Sequence, residues 1–508
     1  MELALFKLFG EEREERSIIV MLLLQSFILG IYYGVFNVAA HAIFLARYDE
    51  TDMARAYIIS GITGIALTYL YSLLRSGRHF SRLSMLNLVL IFLVSLFLWI
   101  SIRRSTEPWV IFGVFVMLGP LFLMSMTGIR DTSQRLLEGH RGARSNALID
   151  TGLISGCMAG SFFVPLLLSA GTHLHNMLFV SAAGMLVAML IQYELIRKQK
   201  AKLDRLKYSY QKSPVYSLLK DNKYIQSVFL FIVLSVLVAF FVQYSFMAVT
   251  RLRYPGENEM ATFLGFFEGG MMAFSLLVYT FLFSFILKNH GLKITLALKP
   301  VLIALFVLFI SVTGLSGGAV QGSQGFFLFF VLLALTRLFS RALNMTIEKP
   351  SLKILYHSLT EKARYNIKHA FDGTVNETAV LLSGLLLTGL AALAFIKLVH
   401  FSLLLIIISI SWTLVALRLY KRYRETIKES LEERRKDVKD ESIHAMHKEF
   451  SSTSSSGFFI DNNYFEVITS PELHEHIIDN RLILSQVINK AERYPNPNIL
   501  PLLKNIMP

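Results

Sequence analysis

One cysteine, three tryptophans and twelve prolines are all that 508 residues contain of those types. A single thiol excludes an intrachain disulfide and any metal site built on several cysteines. Charge is scarce as well: Asp, Glu, Lys and Arg make up 17% of the chain, against ~25% in a soluble globular protein. The sequence has no Walker loop, no dinucleotide fingerprint and no nucleophile elbow, so neither a phosphate cradle nor an acyl-transfer nucleophile is in evidence. No enzyme activity, cofactor or catalytic residue is expected. What fills the chain instead is apolar: 54% hydrophobic residues, forty of them phenylalanine, with a mean hydropathy of +0.52. This composition belongs to an integral membrane protein, not to a disordered chain, a disulfide scaffold or an ordinary cytosolic enzyme.

A helix needs ~20 mainly apolar residues to cross a bilayer. Twelve runs qualify: 17–46, 53–74, 83–102, 108–129, 146–170, 175–196, 224–250, 260–287, 293–314, 324–347, 368–394 and 398–420. The expected fold is an all-α membrane protein with a segment 1–16, a six-helix bundle over 17–196, a basic linker over 197–223, a second six-helix bundle over 224–420 and a helical tail over 421–508. Glycine and small residues in the fifth and ninth runs predict kinks there. Six spans, a basic linker and six spans is the major facilitator pattern, in which related halves pack around a cavity at the midplane.

The loops alternate in charge. One set carries Arg75, Arg78, Arg82, Arg130, Arg135, Arg141, Arg144 and the basic linker; the other carries little beyond Arg47, Arg55, Arg103, Arg104, Arg251 and Arg253. The positive-inside rule places the first set and both termini in the cytoplasm. From Lys421 onward the chain has 13 basic and 14 acidic residues, whereas the remainder has 37 and 22. The positive excess therefore lies in the membrane part. It suits cytoplasmic loops or a cavity for an anion, and gives no footing for a nucleic-acid partner. In the tail, residues 421–449 read as a solvated helix extending the last span, and Ser470-Pro471-Glu472 reads as a helix start. The expected tail is either docked or the start of a helical-repeat domain that contacts a soluble partner.

Ionisable groups at membrane depth cost ~2.5–3.5 kcal/mol on insertion scales, so they are the leading candidates for a site. Glu268, Arg337 and Arg341 fall near mid-depth, and Lys299 partway into the ninth run. Spaced i, i+4, Arg337 and Arg341 share a helix face, and arginine forks suit phosphate or carboxylate oxygens. Glu268 is the expected counter-ion or proton-coupling carboxylate. Tyr33 and Asn37 are expected to line the same cavity. Each of these residues, taken singly, also suits a permanent ion pair or packing contact between helices. Arg130 with Asp131 and Glu348 with Lys349 fall at equivalent helix ends and read as ion pairs closing an inner gate. Asp150 and Asp372 read as partners of Arg144 and Arg364. No metal site is expected, since His173 with His175 and His444 with His447 lack further ligands.

The two halves share a short repeat: Ala143-Arg144-Ser145-Asn146 and Ala363-Arg364-Tyr365-Asn366, each followed by an acid and a glycine, Asp150 with Gly152 and Asp372 with Gly373. The stretches Thr346-Ile347-Glu348-Lys349-Pro350-Ser351-Leu352, Leu355-Tyr356-His357-Ser358-Leu359 and Glu361-Lys362-Ala363-Arg364-Tyr365-Asn366-Ile367-Lys368, with Arg130 to Gly156 in the first half, resemble the ATP/ADP translocase family. The resemblance implies a twelve-helix major facilitator fold, a multi-pass protein of a bacterial inner membrane, and alternating-access transport of an anion such as a nucleotide or organic phosphate, driven by exchange or a coupling ion. The exchangers of that family carry charges inside the first span; here 17–46 holds none. Two rivals stand beside this expectation: a transporter or flippase of a lipid or amphiphile, suggested by the phenylalanine-rich later spans, and a non-transporting membrane platform that signals through its tail.

Overall fold

The computed structural model describes residues 13–75, 79–105, 107–137, 141–205, 222–356, 358–359, 367, 371–393 and 398–452. Its regular elements are all helical. Twelve are long and apolar enough to cross a membrane: α1 (Arg16–Arg47), α2 (Glu50–Leu74), α3 (Phe80–Arg104), α4 (Pro108–Leu136), α5 (Ile149–Ser169), α6 (Asn176–Asp204), α7 (Lys223–Arg253), α8 (Glu257–Phe281), α9 (Phe285–Gly318), α10 (Phe326–Tyr356), α11 (Gly373–Ala391) and α12 (Val399–Lys428). The chain forms two compact units, Met1–Ile427 and Lys428–Pro508. The helix that contains α12 runs unbroken from Leu398 to Ser452. The helix start expected at Ser470 lies outside the described residues, as do Arg364 and the side chains of Arg144 and Asp372.

Local sequence sets several helix starts. Pro108 begins α4 at a position where a missing N–H costs nothing. Asn222 caps α7, its Oδ1 accepting from the amides of Tyr224 at 2.8 Å and Ile225 at 3.2 Å. Asp49 does the same for α2, accepting from the Thr51 and Asp52 amides at 3.1 Å each and from the Thr51 hydroxyl at 2.6 Å. Each span then turns one face outward. Ile59, Phe97, Phe281, Leu308, Phe327 and Ile407 are all exposed, an outer surface too apolar for water and suited to lipid.

The halves meet along two seams where small residues let helices approach closely. Gly265 and Gly269 of α8 face Ser161, Phe162 and Pro165 of α5. Gly61 and Gly64 of α2 face Leu381 and Glu377 of α11, and Gly384 of α11 faces Ala54 and Ile58 of α2. Within the first half, Gly30 and Gly34 bring α1 against the α5 backbone at Leu153, Gly156 and Cys157. Between the seams, α8 packs against both α1 and α10.

Three boundaries differ from the sequence reading. α4 continues past 129 to Leu136, so Arg130 and Asp131 lie inside a helix rather than at its end. α10 continues to Tyr356 through a π-helical turn at Asn344–Glu348, which likewise places Glu348 and Lys349 inside it. The break in the ninth element falls at Gly291, whose φ of 72° is open to glycine at little cost.

Candidate functional site

Arg337 and Arg341 lie one turn apart on α10, on the face that also buries Thr336 and Ser340. Arg337 reaches α8, where its Nη2 is 3.8 Å from Oε1 of Glu268. Both side chains are buried, at 5% and 4% exposure. At that distance the contact is an ion pair but not a hydrogen bond. Glu268 Oε1 and Arg337 Nε, both fully enclosed, have no hydrogen-bond partner. Arg341 reaches the other half of the molecule: its Nη2 donates to the Tyr33 hydroxyl on α1 at 3.1 Å. Its Nε is also enclosed and unpartnered. Among the described residues no carboxylate lies within 4.0 Å of the Arg341 guanidinium.

Tyr33 packs against Phe122 of α4 with the rings tilted by 34° and their centroids 4.0 Å apart. Its neighbour Tyr32, ~100° further round the helix, turns away from the cluster to Ser95 of α3 at 3.3 Å. One turn beyond Tyr33, Asn37 is buried; its carbonyl accepts from His41 Nδ1 at 2.8 Å. Gln243 of α7 donates to His41 Nε2 at 2.9 Å. Both ring nitrogens are thereby used by a neutral imidazole, which ties α1 to α7 across the halves.

Lys299 has a different environment. Its Nζ donates to Oε2 of Glu348 at 2.6 Å and to the Ser235 hydroxyl at 3.0 Å, and lies 5.0 Å from the centroid of the Trp412 ring. This pair joins α9, α10, α7 and α12 inside the second half. Glu348, expected beside Lys349 at a gate, is thus 6% exposed and bound to Lys299, while Lys349 is exposed. The π turn explains the difference. It shifts the following residues by about one position, ~100° of rotation, and turns Glu348 away from the face of Arg337 and Arg341.

At the end of the bundle near the α4 and α10 termini, Asp150 stands between halves. Lys353 of α10 donates to its Oδ2 at 2.8 Å, and Arg130 of α4 lies 3.6 Å from its Oδ1. The structure gives Asp150 both Arg130 and Lys353, while the side chain of Arg144, its expected partner, lies outside the described residues. Asp131 is buried and accepts from the Tyr71 hydroxyl at 3.2 Å. At the opposite end, Arg251 of α7 lies 3.6 Å from Glu50 of α2, His175 lies 4.0 Å from Glu257, and Tyr57 packs edge-on to Phe240 at 4.7 Å. Contacts between the halves therefore exist at both ends.

One buried acid escaped the sequence reading. Glu377 of α11 is 4% exposed, packs against Gly64 and accepts from the side chain of its neighbour Asn376 at 3.1 Å. The signal was present: an acid inside the apolar run 368–394, judged by the rule that singled out Glu268.

No family profile matches the sequence, and no curated protein does. Solved structures do resemble the fold. A mutant of the nucleoside transporter NupG aligns at a TM-score of 0.57 and 15% identity, over 79% of this chain and 99% of its own. A POT family transporter in complex with 5-aminolevulinic acid aligns at 0.60 and 13% identity, over 80% and 96%. A bacterial homologue of the iron transporter ferroportin in its outward-facing state aligns at 0.55 and 15%, over 80% and 99%. Together with the twelve spans and the paired seams, these likenesses establish the twelve-helix fold of the major facilitator type.

Proposed function

We propose that this chain is a secondary transporter that carries an anionic solute across a membrane by alternating access of its two halves. The observation that carries this reading is Arg341, a cation at mid-span whose partner is a tyrosine and which has no carboxylate within 4.0 Å among the described residues. Beside it Arg337 has a single, loosely placed acid. Two guanidinium groups at membrane depth with one carboxylate between them leave a positive charge that an anion would neutralise. Arg337 and Glu268 belong to the second half and Tyr33 to the first, so a solute held among them is gripped by both. Differential grip in the two states is what moves an equilibrium.

The cross-half contacts supply the gates of this reading: Asp150 with Lys353 and Arg130 toward the cytoplasm, and Glu50 with Arg251, His175 with Glu257 and His41 with Gln243 toward the outside. The motif resemblance to the ATP/ADP translocases favours a nucleotide or organic phosphate among anions, in a bacterial inner membrane with both termini cytoplasmic.

The test is uptake into proteoliposomes. Labelled nucleotides, organic phosphates and carboxylates are screened against the wild type, then against Arg337→Gln and Arg341→Gln. A solute carried by the wild type and lost at least tenfold in both variants supports the reading. Unchanged uptake at normal expression removes both arginines from the mechanism.

A further inference from the structure

The central cluster has more to it than a surplus of positive charge. We infer that its solute combines an oxyanion with a protonated amine and has a net charge of −1. This inference rests on the anion-transport reading and narrows it to singly charged solutes, which sets aside the multiply charged nucleotides that the motif resemblance admits.

The argument is a charge and hydrogen-bond inventory. Arg337 and Arg341 contribute two positive charges and Glu268 one negative. The neighbouring polar groups Tyr33, Tyr57, Cys157 and His41 are neutral, as is Asn37 one turn from Tyr33, and the nearby Lys299 and Glu348 cancel each other at 2.6 Å. The site is thus +1. A solute of charge −1 leaves no net charge at membrane depth. A dianion leaves −1 and a multiply charged nucleotide more, each in a region where uncompensated charge is costly.

The unsatisfied atoms specify the chemistry further. Arg337 Nε and Arg341 Nε are donors without acceptors, one helical turn apart, and they call for oxyanion oxygens. Glu268 Oε1 is an acceptor without a donor, and its arginine is too far away to supply one. An anion alone answers the first two and leaves Glu268 facing it with like charge. An N–H-bearing cationic group on the same solute answers the third. The Asn37 side chain, which has no hydrogen-bond partner among the described residues, adds an adaptable contact one turn from Tyr33. Compounds of this class include acidic amino acids and phosphorylated amines.

Two matched pairs of probes read the amine directly, by thermal stabilisation of the purified full chain in detergent. Glutamate and glutarate share two carboxylates and differ by the ammonium. Phosphoethanolamine and ethyl phosphate differ in the same way around a phosphate, and so distinguish the two oxyanion sources. In the wild type, the aminated member of at least one pair binds about tenfold more tightly, the range expected for one charged hydrogen bond. Glu268→Gln, which removes the amine's partner and raises the site to +2, abolishes or reverses that preference. Glu268→Asp, which keeps the charge, retains it and guards against a folding artefact.

Equal binding within both pairs, preference for the amine-free members, no binding of any of the four probes, or an unchanged preference in Glu268→Gln overturns the inference. The broader reading fails separately: if Arg337→Gln and Arg341→Gln leave anion uptake intact, the transport proposal falls whatever Glu268 does.

Discussion

Among the described residues, the second half of the molecule holds two buried cation–carboxylate pairs, and they are built differently. Lys299 and Glu348 meet at 2.6 Å, with Ser235 as a further acceptor and Trp412 alongside. Arg337 and Glu268 stand 3.8 Å apart, each with an orphaned polar atom, and Arg341 adds a second cation. A buried pair is stable only if the geometry is good and the remaining bonding capacity is used. The first pair meets that condition and acts as a strut. The second does not, and its cost makes sense if something else completes it. Similar residue types, equally buried, thus differ in how far their bonding capacity is satisfied.

The sharpest way to break the comparison is to remove one member of the strut. Lys299→Ala leaves Glu348 buried without its cation and is expected to destabilise the fold by about 3–5 kcal/mol, read as a fall in the thermal midpoint. Adding Glu348→Leu to Lys299→Met should recover most of that loss, because two apolar residues leave no orphaned charge. If Lys299→Ala is as stable as the wild type, the two pairs do not differ in kind.

Arg341→Gln should behave in the opposite way. It removes a cation with no carboxylate partner among the described residues, so stability should change by less than about 1 kcal/mol while anion uptake is lost. A variant that unfolds as readily as Lys299→Ala would make Arg341 another strut.

A smaller effect is expected at the half-exposed bridge between Asp150 and Lys353. Lys353→Met should alter stability by no more than about 1 kcal/mol, yet it removes a contact between halves. Cysteine accessibility at this end of the bundle should rise, and unchanged labelling would remove the pair from the gate.

The smallest effect concerns the α2 cap, which lies outside both pairs and outside the spans. Burial works against ionisation of Asp49, but the Thr51 hydroxyl, the Asp52 and Thr51 amides and Arg251 outweigh it and hold the carboxyl below its ordinary value. The folded state then binds protons less readily than the unfolded chain. The stability it adds is present above the unfolded value and is lost as pH falls through the folded one. Asp49→Ala should lower the midpoint by the equivalent of about 0.5 kcal/mol at neutral pH, and the gap should close in acid. A gap constant with pH would show that the carboxylate's charge is not what matters.

The spans and their number were legible in the chain, because bilayer thickness turns a run of apolar residues into a length and any charge within it, such as Glu268, Lys299, Arg337 or Arg341, into an anomaly. Even the shared face of Arg337 and Arg341 follows from helical periodicity. Which acid meets which cation did not follow. That Glu348 binds Lys299 depends on a π turn that rotates the end of α10, and that Asp150 meets Lys353 depends on how α5 and α10 converge from different halves. Glu377 was readable as an acid in an apolar run, but its place against Gly64 required the α2–α11 seam. Local composition determines what crosses a membrane, since burial in lipid is a property of each segment alone. Pairing is a property of two segments at once, and only the packed helices decide it.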